Sequence, residues 1–251
     1  MFPTIPLTFL PAPFEAIRKF HKIHTTFRHE GDLKMKKALA FALKLGIPKP
    51  QAAVLARLKT PEAIQDYITR LPANHEPNGD TCLSVVETMR RRSAHCIEGG
   101  FIAACALWIH GQPPLLMDLQ AQRDDDHVVV LFRRGGCWGA ISKSNHIWLR
   151  WRDPIYRNLR ELAMSYFHEY VSGSKKTLRR YSRPIDLRRF DAKQWVTNTD
   201  DCWDVAGACD DAKHYPLLSP AQARQLRARD AMERRAGELL EYPPRGRPAR
   251  S

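Results

Sequence analysis

The stretch from Cys96 to His110 (CIEGGFIAACALWIH) constrains this chain most, because it has the length of a helix and carries a single charged side chain, Glu98. A helix so apolar has no face to offer water, so other elements must cover it. Gly111 marks its end. The period then changes. Leu115 to Leu119 reads as a short strand, and His127 to Phe132 (HVVVLF) as a β-branched one. Gly135-Gly136 is a two-residue hairpin signal, and Cys137 to Ser142 (CWGAIS) is the return strand. The expected fold class is therefore α+β, with a Cys-bearing helix packed on an antiparallel sheet.

Other segments give the coarse organisation. A helical N-terminal region is expected over residues 1–75, a core over 76–172 and a basic C-terminal extension, partly disordered, over 173–251. Helical spacing runs from Phe14 to about Leu71, interrupted at Gly46 and Pro48 and restarted by Thr60-Pro61, a capping residue followed by proline at the first helical position. Asp80 is expected to cap a helix reaching about Arg92, and Ser93 to cap the Cys96 helix. Long helices are predicted over Ile155 to Val171 and from Ser219-Pro220 to about Glu241.

At 251 residues and 28.9 kDa the chain fits one domain, or one with a small appendage. A hydrophobic fraction of 43% excludes wholesale disorder. No apolar run approaches the roughly 20 residues of a spanning helix, so no membrane segment is expected. Six cysteines are too few for a disulfide scaffold of this length, and Met1 to Pro6 lacks the pattern of a signal peptide. A cytoplasmic location with free thiols is the expectation. The net charge of +13 raises the prior for an anionic partner, and residues 173–251 hold 17 Lys and Arg against 11 Asp and Glu.

Cys96 and His127 are the residues that point to chemistry. A thiol attacks a carbonyl carbon as thiolate. The positive end of a helix dipole lowers its pKa, and an imidazole takes its proton. Cys96 opens its helix, and His127 opens a strand 31 residues later. With Gly135-Gly136 as the turn, Arg134 pairs with Cys137 and His127 lies opposite Ser144. Ser142 is then its diagonal neighbour on the same face, and Asn145 points to the other face.

The run HCIEGGFIAACALWIHG followed by DDDHVVVLFRRGGCWGAIS resembles the core of the transglutaminase-like cysteine enzymes, a papain-like fold, over roughly residues 80–145. That superfamily has a Cys opening a helix rich in small residues, an Asp-His or similar pair at a strand start, and a Trp four positions before an Asp. Cys96, Asp126-His127 and Trp138 fit, whereas Ser142 stands where the family has its orienting Asp. The resemblance implies a thiol enzyme, either an amide-bond hydrolase or an acyltransferase, acting through a thioester on a peptide or protein substrate. It implies no cofactor and no metal. Cys96 would be the nucleophile, His127 the base and Ser142 the preferred third member, with Ser144 and Asn145 as alternatives.

A second reading is a catalytically weak or inactive module of the same fold that binds nucleic acid or an acidic protein. Arg179-Arg180, Arg188-Arg189 and the arginine-rich last helix would contact phosphates, and Tyr181 and Phe190 would stack on bases. His21, His24 and His29 read as an exposed basic helix, and Cys202 and Cys209 lack zinc spacing. Cys82, Cys105 and Cys137 read as packing, and Asp124 to Asp126 as a solvated loop. Tyr166, His168, Glu169 and Tyr170 read as one amphipathic helix without chemistry.

Overall fold

The computed structural model describes residues 30–243. The expectations for residues 1–29, including His21, His24 and His29, lie outside this range, as does the last stretch from residue 244.

The helices that precede the Cys96 helix pack with it in one core layer. They are α1 over residues 30–44, α2 (Lys49–Arg57), α3 (Pro61–Thr69) and α4 (Val85–Arg91). Gly46 takes the left-handed conformation that ends α1, with φ of 85°. Thr60 caps α3 by accepting from the Ala63 N–H at 3.2 Å. The expected Asp80 cap is displaced. Residues 80–83 are irregular and Ser84 caps α4, because the Cys82 and Leu83 N–H groups are drawn to Asp201 and Glu98. The Cys96 helix, α5 (Cys96–Ile109), is capped by His95 and not Ser93.

Twelve of the 14 residues of α5 are buried, as its apolar composition requires. It lies on one face of a sheet ordered β4-β3-β2-β1-β7-β9, with β8 also paired to β1. These strands are β1 (Leu115–Ala121), β2 (His127–Arg134), β3 (Cys137–Ile141), β4 (Arg152–Tyr156), β7 (Leu178–Ser182), β8 (Ile185–Asp186) and β9 (His214–Pro216). A short separate pair, β5 (Val171–Ser172) and β6 (Lys175–Lys176), lies outside it. The β2–β3 hairpin turns at Gly135-Gly136, both at positive φ, with Arg134 opposite Cys137 and Leu131 opposite Ala140. The predicted register is the one observed.

Alternation along β1 and β2 divides the core into two layers. Leu116, Val128, Val130 and Phe132 face α5 and the outer helices. Met117, Leu119, Val129 and Leu131 face a second cluster built on α6 (Leu159–Met164), which includes Tyr166, Phe167 and Tyr170. β2 is thus buried on both faces, which explains its continuous apolar run.

Two predicted helices are shorter than expected. Residues 152–156 pair with β3 as β4, and Asn158 then caps α6, accepting from the Glu161 N–H at 2.9 Å. The apolar residues of 155–171 serve a strand, one short helix and a turn in succession. The last predicted helix is two, α9 (Pro220–Arg224) and α10 (Ala231–Gly237), each with its own capping box from Ser219 and Asp230. The segment from residue 173 onward, expected as an extension, supplies β7 between β1 and the edge strand β9. It also supplies α7 (Ala192–Trp195) and α8 (Trp203–Asp210) to the core. Trp195 is fully buried and stacks on Trp108 of α5. Among the described residues no helix is long and apolar enough to cross a membrane.

Candidate active site

The N-terminus of α5 meets the start of β2 at one end of the sheet. Gly99 lets α5 approach the segment just beyond β3, since a methyl group there would collide with Lys143. Gly100 rests on Leu116, Val128 and Val130. A cavity of about 230 Å³ opens at this junction, walled by His95, Cys96, Asp126, His127, Lys143 and Tyr170 among others.

Cys96, in the first turn of α5, is half-buried in this cavity. Burial alone would raise its pKa, but hydrogen bonds and charge interactions with His127 and His95 outweigh burial and lower it from 9.0 to about 5. Four other thiols behave differently. Burial pushes Cys105 and Cys202 up to about 12 and Cys82 and Cys209 higher still. Cys96 is the cysteine poised to be a thiolate near neutral pH.

His127 is buried at the opening of β2. Its Nε2 lies 2.6 Å from Ser142 Oγ and 3.2 Å from the Leu149 carbonyl oxygen. A carbonyl only accepts, so it favours a proton on Nε2 and leaves Nδ1 for exchange with sulfur. Ser142 is itself fixed, because Gln65 of α3 bonds both its backbone N–H and its carbonyl at 2.9 Å. Cys96, His127 and Ser142 are therefore gathered at one place.

The two alternatives for the third position do not reach His127. Ser144 Oγ accepts from the His146 N–H at 3.1 Å. Asn145 holds the chain from outside: its Nδ2 donates to the Tyr242 carbonyl and its Oδ1 accepts from the Tyr242 N–H, both at 2.8 Å. Tyr242 also donates its hydroxyl to the Thr69 carbonyl at 3.1 Å, so residues 240–242 run along one edge of the cleft.

Sequence reasoning missed three participants. The Leu149 carbonyl carries no side-chain signal. His95 immediately precedes Cys96, and its Nε2 lies 2.8 Å from the Thr81 carbonyl, 3.4 Å from Glu98 Oε1 and 3.5 Å from Glu76 Oε1. Glu98 is the third. It is completely buried, yet it accepts from Asn74 Nδ2, Thr81 Oγ1 and the N–H groups of Leu83 and His95. Burial would raise its pKa, but His95 and these donors lower it to about 2. A lone carboxylate in an otherwise apolar helix was the available signal. Tyr170, read as packing, donates to the Asp125 carbonyl and joins the cavity wall.

A second His–carboxylate pair lies under β1, where His214 Nε2 is 2.9 Å from Asp118 Oδ2 and both side chains are almost fully buried. Burial raises Asp118 to about 6 despite that partner, with Asp126 and Asp210 adding repulsion. Neither residue walls the cavity. Among the described residues no cluster of three or more His, Cys, Asp or Glu has the arrangement of a metal site.

No protein-family model matches the chain, and no curated protein does.

Proposed function

We propose that the protein is a thiol enzyme of the transglutaminase-like, papain-like type, acting on an amide bond of a peptide or protein substrate. The observation that carries this reading is that Cys96, half-buried at a helix N-terminus, shares one cavity with His127 and His95, which lower its pKa. The Cys96 thiol gives its proton to His127. The thiolate attacks the carbonyl carbon, and the carbonyl π electrons move to oxygen, giving a tetrahedral anion. First-turn N–H groups of α5, which have no acceptor within the helix, would stabilise that charge. The carbon–nitrogen bond breaks, His127 gives its proton to the leaving amine, and a thioester remains on Cys96. Water, deprotonated by the now neutral His127, completes hydrolysis, or an amine completes transfer.

Ser142 and the Leu149 carbonyl support His127 in place of a carboxylate. They orient the ring but add no negative charge, so they stabilise imidazolium less than an Asp would. That feature favours one competing reading, a module that keeps this pocket for binding, with turnover weak or lost, and uses basic surface for nucleic acid or an acidic protein.

The test is the rate of iodoacetamide labelling of Cys96 against pH, paired with mass spectrometry of an acyl adduct from peptide esters and amides. Labelling that reaches half its plateau near pH 5, with a thioester on Cys96, is expected. A midpoint near that of a free thiol would overturn the reading. A low midpoint without any acyl adduct would favour the binding module, which salt-dependent retention on nucleic acid would then probe.

A further inference from the structure

We propose that His95 is a second imidazole acting on the Cys96 sulfur, a fixed positive charge held by Glu98 and Glu76 while His127 carries the proton to and from substrate. The inference rests on the thiol-enzyme reading and assigns a division of labour within it.

The two rings have different neighbours. His127 Nε2 meets only neutral groups, the Ser142 hydroxyl and the Leu149 carbonyl. His95 Nε2 donates to the Thr81 carbonyl at 2.8 Å and has carboxylate oxygens of Glu98 and Glu76 at 3.4 and 3.5 Å. Because the carbonyl and carboxylates only accept, Nε2 is the protonated nitrogen, and the ring walls the same cavity as the Cys96 side chain. Glu98 has no solvent exposure, so its charge needs a buried counter-charge, and His95 is the cation beside it. The loop and helix thus form a unit in which His95 and Glu98 neutralise one another, and the proton exchanged in catalysis is the one between Cys96 and His127.

Other ionisable groups around the sulfur do not replace His95. Asp124, Asp125 and Asp126 approach from the loop before β2, and they oppose a thiolate. Tyr170 approaches from behind α6 with its hydroxyl committed to the Asp125 carbonyl. From beyond β3, the Lys143 ammonium is turned to the Leu71 carbonyl and the Tyr242 ring, and burial lowers its pKa to about 8. His146 and His75 stand at the rim, and His75 Nε2 lies 3.1 Å from the Tyr242 carbonyl oxygen. Burial also opposes a charged His95, yet its contacts with Cys96 and Glu98 raise it from 6.5 to about 11.

Three full-length proteins test this: wild type, His95→Gln and His95→Lys, each titrated for Cys96 labelling. The expected result is that His95→Gln raises the labelling midpoint by about one pH unit or more, a tenfold loss of thiolate at pH 5 or below. His95→Lys, which restores the charge, is expected to recover much of the shift. In ¹⁵N NMR of the wild type at pH 8, His95 is expected to show both ring nitrogens protonated. A His95→Gln midpoint equal to wild type, or a neutral His95 ring at pH 8, would sink the proposal, and the NMR result decides it even if the variants do not fold. An ordinary thiol midpoint in the wild type is a separate outcome, which overturns the thiol-enzyme reading itself.

Discussion

The two walls that meet at Cys96 are built from different chemistry. On the sheet side, His127 is held by a hydroxyl and a carbonyl, both buried and neutral. On the helix side, His95 sits against carboxylates, one of them completely buried and tied by four donors. A neutral wall lets an imidazole gain and lose a proton at modest cost. A carboxylate wall holds the proton in place. The difference teaches that two histidines close to one sulfur need not share a role.

The sharpest break of this comparison is in turnover. His127→Ala is expected to lower kcat by about 100- to 10,000-fold, the range for loss of a positioned acid–base group. Ser142→Ala should cost about tenfold or less, because the Leu149 carbonyl still orients the ring, and stability about 1 kcal/mol. Steady-state kinetics on a substrate found by acyl trapping, with urea unfolding alongside, measures both. Equal losses in the two variants would mean that Ser142 is as necessary as the imidazole it contacts.

Stability should break the other way. Glu98→Ala strands His95 and the surrounding donors without their acceptor, so a loss of about 3–5 kcal/mol in urea unfolding is expected. The pH dependence has a definite sign. Glu98 has its folded pKa depressed from 4.5 to about 2, so its contribution is complete above pH 4.5 and vanishes as pH falls through about 2. Acid unfolding of wild type and Glu98→Gln compares them directly, and the variant should lose less stability across that window.

Gly99 joins the two walls. Gly99→Ala places a methyl group against Lys143, and overpacking of this kind costs about 1–3 kcal/mol. Because the shift moves the first turn of α5 away from the segment that carries Ser142 and Lys143, the labelling midpoint of Cys96 should rise as well. A stability loss with an unchanged midpoint would show that the helix end moves as a body with its neighbours.

The smallest effect is the labelling profile of the wild type between pH 5 and 9. Above a midpoint near 5 the thiolate fraction changes little, so the rate should be nearly flat. A continued tenfold rise per pH unit through neutrality would place the sulfur outside the influence of both walls.

Some of this arrangement is legible in the chain. The apolar run of α5, the Gly135-Gly136 turn and the alternation of β2 specify a helix on a hairpin, and the hairpin register puts Ser142 diagonal to His127. These are local patterns with fixed periods, and a two-residue turn leaves little freedom in register. The helices around 155–171 and 219–241 misread because apolar spacing does not say where pairing with β3, or a capping box at Asp230, interrupts a helix. The role of residues beyond 173 was also hidden, since β7 joins the sheet through pairing with β1, far away in sequence.

What the amino-acid order determined by itself is the helix–hairpin frame and the places of Cys96 and His127 in it, because residue type and short-range periodicity carry that information. The tertiary structure alone decided how each is held. The Leu149 carbonyl, the Glu98 counter-charge and the His95 ring act through distance and burial, and the energy of a charge depends on what is packed around it, which no local pattern records.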